Sequence, residues 1–259
     1  MSETLRTTII QSDLFWEDKG NNLNMFSKKI KSIQENTDLI ILPEMFSTGF
    51  TMNVKNVAEE ESGATLLWMQ KEAEKNQTAI MGSCIILDKG SYFNRMYFVF
   101  PNKEYIKYDK RHTFKLANEH KTFSSGNEQV YIEYLGWKIH PLICYDLRFP
   151  VWSRNTSNYD VLIYVASWPQ RRINAWDALL KARAIENMCY TIGVNRVGMD
   201  GNGHQYTGHS AIYDVLGECI STKENENEFI ETYTLDRSHL ESNRKHLQFL
   251  NDRDDFNLE

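Results

Sequence analysis

Three polar residues stand where apolar, strand-like runs of the sequence end. Glu44 lies at the end of LIILPEM, Lys110 ends EYIKYDK, and Cys144 ends KIHPLIC. In α/β folds, side chains at the carboxyl ends of strands open onto one shared crevice. We therefore expect a carboxylate, an amine and a thiol to meet at one edge of a sheet.

These three groups together can carry out acyl transfer. A free thiol is only partly ionised at neutral pH, so it needs a base or a nearby positive charge to act as a nucleophile. The Glu44 carboxylate can take the thiol proton and later deliver it to a leaving amine. The Lys110 ammonium can favour the thiolate and stabilise an oxyanion, and the backbone N–H of Tyr145 is a natural second donor. The expected chemistry is acylation of Cys144 followed by hydrolysis.

Residue type alone leaves other interpretations open. Buried, unreactive cysteines are common, and charges at strand ends often only reach solvent. His112 and His140 lie near the same segments, which allows a papain-like Cys–His pair instead. That alternative leaves Glu44 and Lys110 without a role.

The sequence motifs around these three residues are more specific than the residue types. LPEMFSTGF, YDKRHTF and CYDLRFP, in this order, resemble the nitrilase superfamily of carbon–nitrogen hydrolases, and the similarity continues through ARAIENMCY and NRVGMDGNGHQYTGHS. The resemblance implies a Glu-Lys-Cys triad of Glu44, Lys110 and Cys144. It also implies a single α/β domain built as a four-layer α-β-β-α sandwich.

Two segments are similar to the omega-amidase branch of that superfamily, namely CYDLRFP and ANEHKTFSSG. This similarity implies hydrolysis of the side-chain amide of 2-oxoglutaramate or 2-oxosuccinamate to the dicarboxylate and ammonia, with no cofactor and no metal. Two alternatives stay open. One is another amidase of the superfamily, acting on deaminated glutathione or a simple aliphatic amide, and the other is a non-catalytic interaction protein on the same scaffold.

The resemblance also assigns residues around the triad. Glu119 matches a second glutamate that orients the lysine and the substrate. Arg148 matches a position that binds the substrate carboxylate in omega-amidases, as suits the bidentate guanidinium; the alternative is an ion pair with Asp146 or a helix cap.

Three further residues are candidates for lining the pocket. The resemblance places ASWPQRRINAW in a loop over the site, so Trp168 and Arg171 are expected to line the pocket; the alternative is an exposed Arg-Arg pair at a helix start. Phe50 is a candidate apolar wall, although a core phenylalanine would give the same pattern.

The elements that must hold these residues alternate between strand-like and helical patterns. Apolar spacing predicts helices in the segments GNNLNMFSKKIKSIQENTD, 64–75 and 172–188, and a short helix after Pro150. Short turns separate several strand-like runs in the middle of the chain, which indicates hairpins. We expect one hydrolase domain over residues 1–236 and a charged tail over 237–259, either an arm over a partner subunit or a frayed end.

Composition excludes several classes of function. The chain has 259 residues, of which 41% are hydrophobic and 25% charged, with a net charge of −6 and four scattered cysteines. No basic run favours nucleic acid or an anionic membrane as a partner, and no apolar segment is long enough to span a bilayer. We expect a cytoplasmic enzyme whose partner is a small amide carrying a carboxylate; the family resemblance adds an expected homodimer.

Overall fold

The computed structural model describes residues 2–221 and 226–258, and this part of the chain folds as two β-sheets packed face to face between helices. The described helices are Lys19–Lys31 (α1), Val54–Val57 (α2), Ala64–Asn76 (α3), Ile173–Asn187 (α4) and Arg237–Leu247 (α5).

The first sheet has six strands, with the spatial order β13-β1-β2-β3-β4-β5. Its strands are Thr4–Gln11 (β1), Leu39–Ile41 (β2), Ala79–Asp88 (β3), Ser91–Val99 (β4), Tyr105–Asp109 (β5) and Phe229–Asp236 (β13). β1, β2 and β3 run parallel, whereas the β3–β4 and β4–β5 pairs are antiparallel. The carboxyl ends of β2 and β5 therefore lie at the same edge of this sheet.

The second sheet has five strands, with the spatial order β12-β9-β8-β7-β6, and a separate two-stranded ribbon pairs β10 with β11. These strands are Ile132–Tyr134 (β6), Trp137–Ile143 (β7), Val161–Val165 (β8), Tyr190–Val194 (β9), Val197–Met199 (β10), Gln205–Thr207 (β11) and Ala211–Tyr213 (β12). β7, β8 and β9 are parallel and almost entirely buried, as expected of strands covered on both faces.

The core lies in three layers of apolar contact. Side chains such as Met81 on β3 and Leu142 on β7 fill the space between the sheets, and α4 packs on the outer face of the second sheet through Trp176 and Leu180. A second cluster, which includes the fully buried Phe26, joins α1 and α3 to the outer face of the first sheet. The predicted α-β-β-α sandwich is confirmed.

Local predictions fare differently along the chain. Strand-like residues on either side of Gly136 form β6 and β7, and Leu135 and Gly136 both adopt positive φ angles and connect them in a tight hairpin. The helix predicted after Pro150 is wrong, since the residues that follow form only turns. The helical geometry lies earlier, in a 3₁₀ turn over Cys144–Arg148.

The predicted charged tail, residues 237–259, begins with a helix, α5, which covers Arg237–Leu247. α5 buries Leu240 against the core, and the Arg244 guanidinium donates to Asp160 Oδ1 at 2.8 Å and to the Met188 carbonyl at 2.7 Å. None of the helices in the described ranges is long and apolar enough to cross a bilayer.

Candidate active site

The three residues predicted to meet lie at the shared edge of the two sheets. Glu44 follows β2 and Lys110 follows β5 directly, both on the first sheet, while Cys144 follows β7 on the second. All three are buried, with 0%, 1% and 8% of their surface exposed. The site therefore spans the junction between the sheets.

Lys110 is held between two buried carboxylates. Its Nζ donates to Glu44 Oε1 at 2.9 Å and to both oxygens of Glu119 at 3.0 Å, and it lies 5.3 Å from the centre of the Phe50 ring. Burial alone would lower the pKa of Lys110, but Glu119 and Glu44 outweigh burial and raise it. The lysine is therefore a fixed cation at any pH the enzyme would meet.

Glu119 takes its position from a one-turn 3₁₀ helix, Glu119–Lys121, and also accepts from the backbone N–H of Phe114. Burial raises the pKa of Glu119, and the nearby Glu44 adds to this effect, whereas Lys110 opposes it. This arrangement fits the orienting role expected for Glu119.

Glu44 is oriented by donors from both sheets. Oε1 accepts from Lys110 and from Asn94 Nδ2, the latter at 2.8 Å, and Oε2 accepts from the Ser167 backbone N–H at 2.8 Å. Each carboxylate oxygen can accept about two hydrogen bonds, so Oε2 keeps capacity for one more donor. Glu44 can therefore accept a proton without giving up the bonds that orient it.

Cys144 occupies a strained turn at the end of β7. Its φ angle is +45°, a left-handed conformation that is uncommon for a residue with a side chain and that recurs at functional sites. Burial raises the pKa of its thiol well above the ordinary value and Glu44 raises it further, while Lys110 opposes both. Lys110 thus favours the thiolate, but burial and the Glu44 charge outweigh it, so the thiol needs a base to take its proton.

Asp146 holds this turn in place, a role that sequence analysis missed. Oδ2 accepts from the Ile143 backbone N–H at 3.1 Å and from the Tyr108 hydroxyl at 2.7 Å, and Oδ1 accepts from the His112 backbone N–H at 2.9 Å, with the His112 ring Nδ1 at 2.8 Å. The fully buried Asp146 thus ties the segment around Lys110 to the segment around Cys144. Since these contacts occupy its oxygens, the ion pair considered for Arg148 with Asp146 does not form.

A cavity of about 730 Å³ opens in front of Cys144. Seven of the nine predicted site residues line it: Phe50, Lys110, Cys144, Tyr145, Arg148, Trp168 and Arg171. Glu44 and Glu119 contact Lys110 instead. The cavity wall also includes Arg172, which sequence analysis left out although it lies in the same predicted loop.

Neither histidine near the nucleophile forms a hydrogen bond to Cys144 in the described part of the chain. His112 contacts Asp146 and stacks on Phe149 with ring centres 3.6 Å apart. His140 is fully buried, and its Nδ1 lies 2.8 Å from the Val130 carbonyl. The geometry therefore gives no support to the papain-like alternative.

His140 predicts a specific loss of stability in acid. Burial lowers the pKa of its ring to about 4, from about 6.5 in the unfolded chain. Above pH 6.5 the ring is neutral in both the folded and the unfolded chain, and the fold keeps its full stability. Between pH 6.5 and 4 only the unfolded chain takes up the proton, so stability falls as the pH falls from 6.5 to 4. We expect His140 to account for a decrease of roughly 3 kcal/mol in the free energy of unfolding across that window.

Urea unfolding of the wild type and of His140→Gln at pH 7, 5.5 and 4 measures this effect. The substitution keeps an amide donor for the Val130 carbonyl but removes the titrating group. The difference in unfolding free energy between the two proteins should therefore change with pH in favour of the variant in acid. Parallel pH profiles would contradict the prediction.

Three comparisons identify the family. The carbon-nitrogen hydrolase family model matches residues 6–245. The chain is 45% identical to omega-amidase YafV of Yersinia enterocolitica, with 85% of this chain and 86% of the relative covered, and 34% identical to 2-oxoglutaramate amidase of Bacillus subtilis, with 82% and 83% covered.

Among solved structures, XC1258 of Xanthomonas campestris, a CN-hydrolase superfamily protein with an arsenic adduct in its active site, superimposes with a TM-score of 0.97. It is 36% identical, and both chains are covered completely. The chain belongs to the carbon–nitrogen hydrolases of the nitrilase superfamily, in the branch that contains the omega-amidases.

Proposed function

We propose that this protein is an omega-amidase that converts 2-oxoglutaramate or 2-oxosuccinamate to the dicarboxylate and ammonia through a thioester on Cys144. The observation that carries the proposal is one cavity that joins the Glu44, Lys110 and Cys144 site to exposed and half-buried guanidinium groups. The similarity to omega-amidase YafV and to 2-oxoglutaramate amidase supports the same reaction.

In the first half of the reaction, Glu44 removes the thiol proton as Sγ attacks the amide carbon. The oxygen of the tetrahedral intermediate gains negative charge and accepts hydrogen bonds from Lys110 Nζ and the Tyr145 N–H. Glu44 then gives its proton to the amide nitrogen, the C–N bond breaks, and ammonia leaves the thioester behind.

In the second half, water attacks the thioester while Glu44 takes a proton from it. The C–S bond of the new tetrahedral intermediate breaks, and Glu44 returns that proton to the sulfur. The free acid and the neutral thiol are restored. Because the cycle starts and ends with a neutral thiol, the raised pKa of Cys144 suits a mechanism in which Glu44 moves the proton during attack.

A comparison of two substrates tests the reaction. We expect kcat/KM for 2-oxoglutaramate to exceed that for pentanamide, a neutral amide with the same number of carbon atoms, by at least about 100-fold, since charge-assisted contacts to a carboxylate are worth about 1.5–3 kcal/mol each. Ammonia release in a coupled assay measures both. Equal values would favour a neutral aliphatic amide as the substrate, and faster turnover of deaminated glutathione would favour that alternative.

We also propose a homodimer in the cytoplasm. The family resemblance supports the dimer. The four cysteines are all free, which suits a reducing compartment.

A further inference from the structure

Two arginine side chains face the cavity without a carboxylate partner among the described residues. The Arg148 guanidinium lies 4.9 Å from the centre of the Trp168 ring, and that of Arg172 lies 5.0 Å from the centre of the Phe114 ring. Both residues line the same cavity as Cys144. Stacking leaves the N–H groups at the edge of a guanidinium available for an anion.

Arg172 is the most enclosed of the three arginines that line the cavity. Arg148 and Arg171 are exposed, whereas Arg172 is half-buried. Arg171 also has a partner, because its Nη2 lies 2.8 Å from His204 Nδ1. Burial lowers the pKa of Arg172, and the neighbouring cations Arg171 and Arg148 lower it further. An anion from solution would relieve both effects at this position.

The backbone holds Arg172 rigidly beside Trp168. Arg172 is the last residue of a 3₁₀ turn that leads directly into α4, and its carbonyl accepts from Trp168 Nε1 at 2.8 Å. Trp168 is fixed in turn by Asn195, which bonds both its N–H and its carbonyl. The Trp168 indole therefore contacts both arginines: it is hydrogen-bonded to the Arg172 carbonyl, and the Arg148 guanidinium stacks on its ring.

We propose that Arg172 and Arg148 form a two-cation subsite for the end of the substrate remote from the amide, and that Arg172 is its principal carboxylate ligand. The inference deepens the proposed function and rests on it. A 2-oxo acid presents two carboxylate oxygens and an adjacent carbonyl oxygen at that end. One guanidinium can bind the carboxylate with two parallel hydrogen bonds, and the second can reach the remaining acceptors. The subsite selects amides whose far end carries a carboxylate next to an acceptor oxygen.

Arginine variants test this assignment in turnover. Arg172→Ala should lower kcat/KM for 2-oxoglutaramate by about 100-fold, mainly through KM, and leave kcat/KM for pentanamide within about threefold. Arg172→Lys should recover only part of the loss, because an ammonium cannot bind a carboxylate in bidentate fashion. Arg148→Ala should cost less than Arg172→Ala. Arg253→Ala, outside the cavity and bonded to Asn158, is the matched control and should leave both activities unchanged.

Calorimetric binding of 2-oxoglutarate, the product, separates the subsite from the reaction. We expect Arg172→Ala to weaken this binding by about 100-fold, in proportion to its effect on turnover. Binding as tight as that of the wild type would overturn the subsite, whatever the activity. If the wild type binds 2-oxoglutarate through Arg172 yet fails to hydrolyse 2-oxoglutaramate, the proposed function is wrong and the subsite stands.

Discussion

Replacing Cys144 by Ala is expected to lower ammonia release from 2-oxoglutaramate by roughly 10⁵-fold or more, the scale seen when a catalytic nucleophile is removed. Among the described residues that line the cavity, no other carries a thiol that could form the thioester. The substitution removes one sulfur atom and keeps a Cβ at the same positive φ angle. The fold should therefore remain, and urea unfolding of the variant should stay close to that of the wild type.

Cys189→Ala provides the control. Cys189 is fully buried and lies between α4 and β9, away from the cavity. It should retain turnover, even where the small void it leaves reduces stability. Measured turnover by Cys144→Ala above about one thousandth of the wild-type rate would contradict the thioester mechanism.

Replacing Lys110 by Met is expected to remove activity and stability together. Glu44 and Glu119, with 0% of their surface exposed, would then share a buried space without a cation. Breaking a buried ion pair by removing one partner costs about 3–5 kcal/mol, and the loss of an oxyanion donor costs about 10²–10³-fold in kcat. Thermal unfolding and ammonia release measure the two losses separately.

The double variant Lys110→Met/Glu119→Gln separates electrostatic compensation from chemistry. Removing the Glu119 charge should restore part of the lost stability, since only one buried carboxylate then lacks a cation. Activity should stay as low as in Lys110→Met, because the oxyanion donor is still absent. Recovery of turnover along with stability would show that Lys110 serves the fold rather than the reaction.

The sequence predicted those parts of the structure that depend on a local pattern, such as the end of a strand or the apolar stripe of a helix. Strand-like runs ending in Glu44, Lys110 and Cys144 predicted residues that the structure brings to one edge, because the carboxyl ends of β2, β5 and β7 meet there. The apolar spacing predicted α3 and α4 to within one residue at each end, whereas α1 ends at Lys31, seven residues before the end of its predicted segment. Periodicity suffices for such elements because each packs one apolar stripe on a sheet.

Other parts of the site depend on contacts between distant segments, which no local pattern encodes. Asn94 lies in the middle of β4 and reads as an ordinary strand residue, yet it donates to Glu44, 50 residues away. Asp146 looked like a partner for Arg148, but the packing of β5 against the turn after β7 gives it to Tyr108 and His112. Which of Arg171 and Arg172 can bind the substrate carboxylate depends on how the 3₁₀ turn before α4 orients these two successive side chains.

The bonds between Ser167 and Glu44 and between Tyr108 and Asp146 cross from one sheet to the other. Neither sheet can therefore form the active site alone. The turnover rate depends directly on how the two sheets are placed relative to each other. A substitution between the sheets, at Met81 or Leu142, can change the distance between Glu44 and Cys144 without altering a residue that lines the cavity. Substitutions at such core positions can therefore change the turnover rate although the residues make no contact with the substrate.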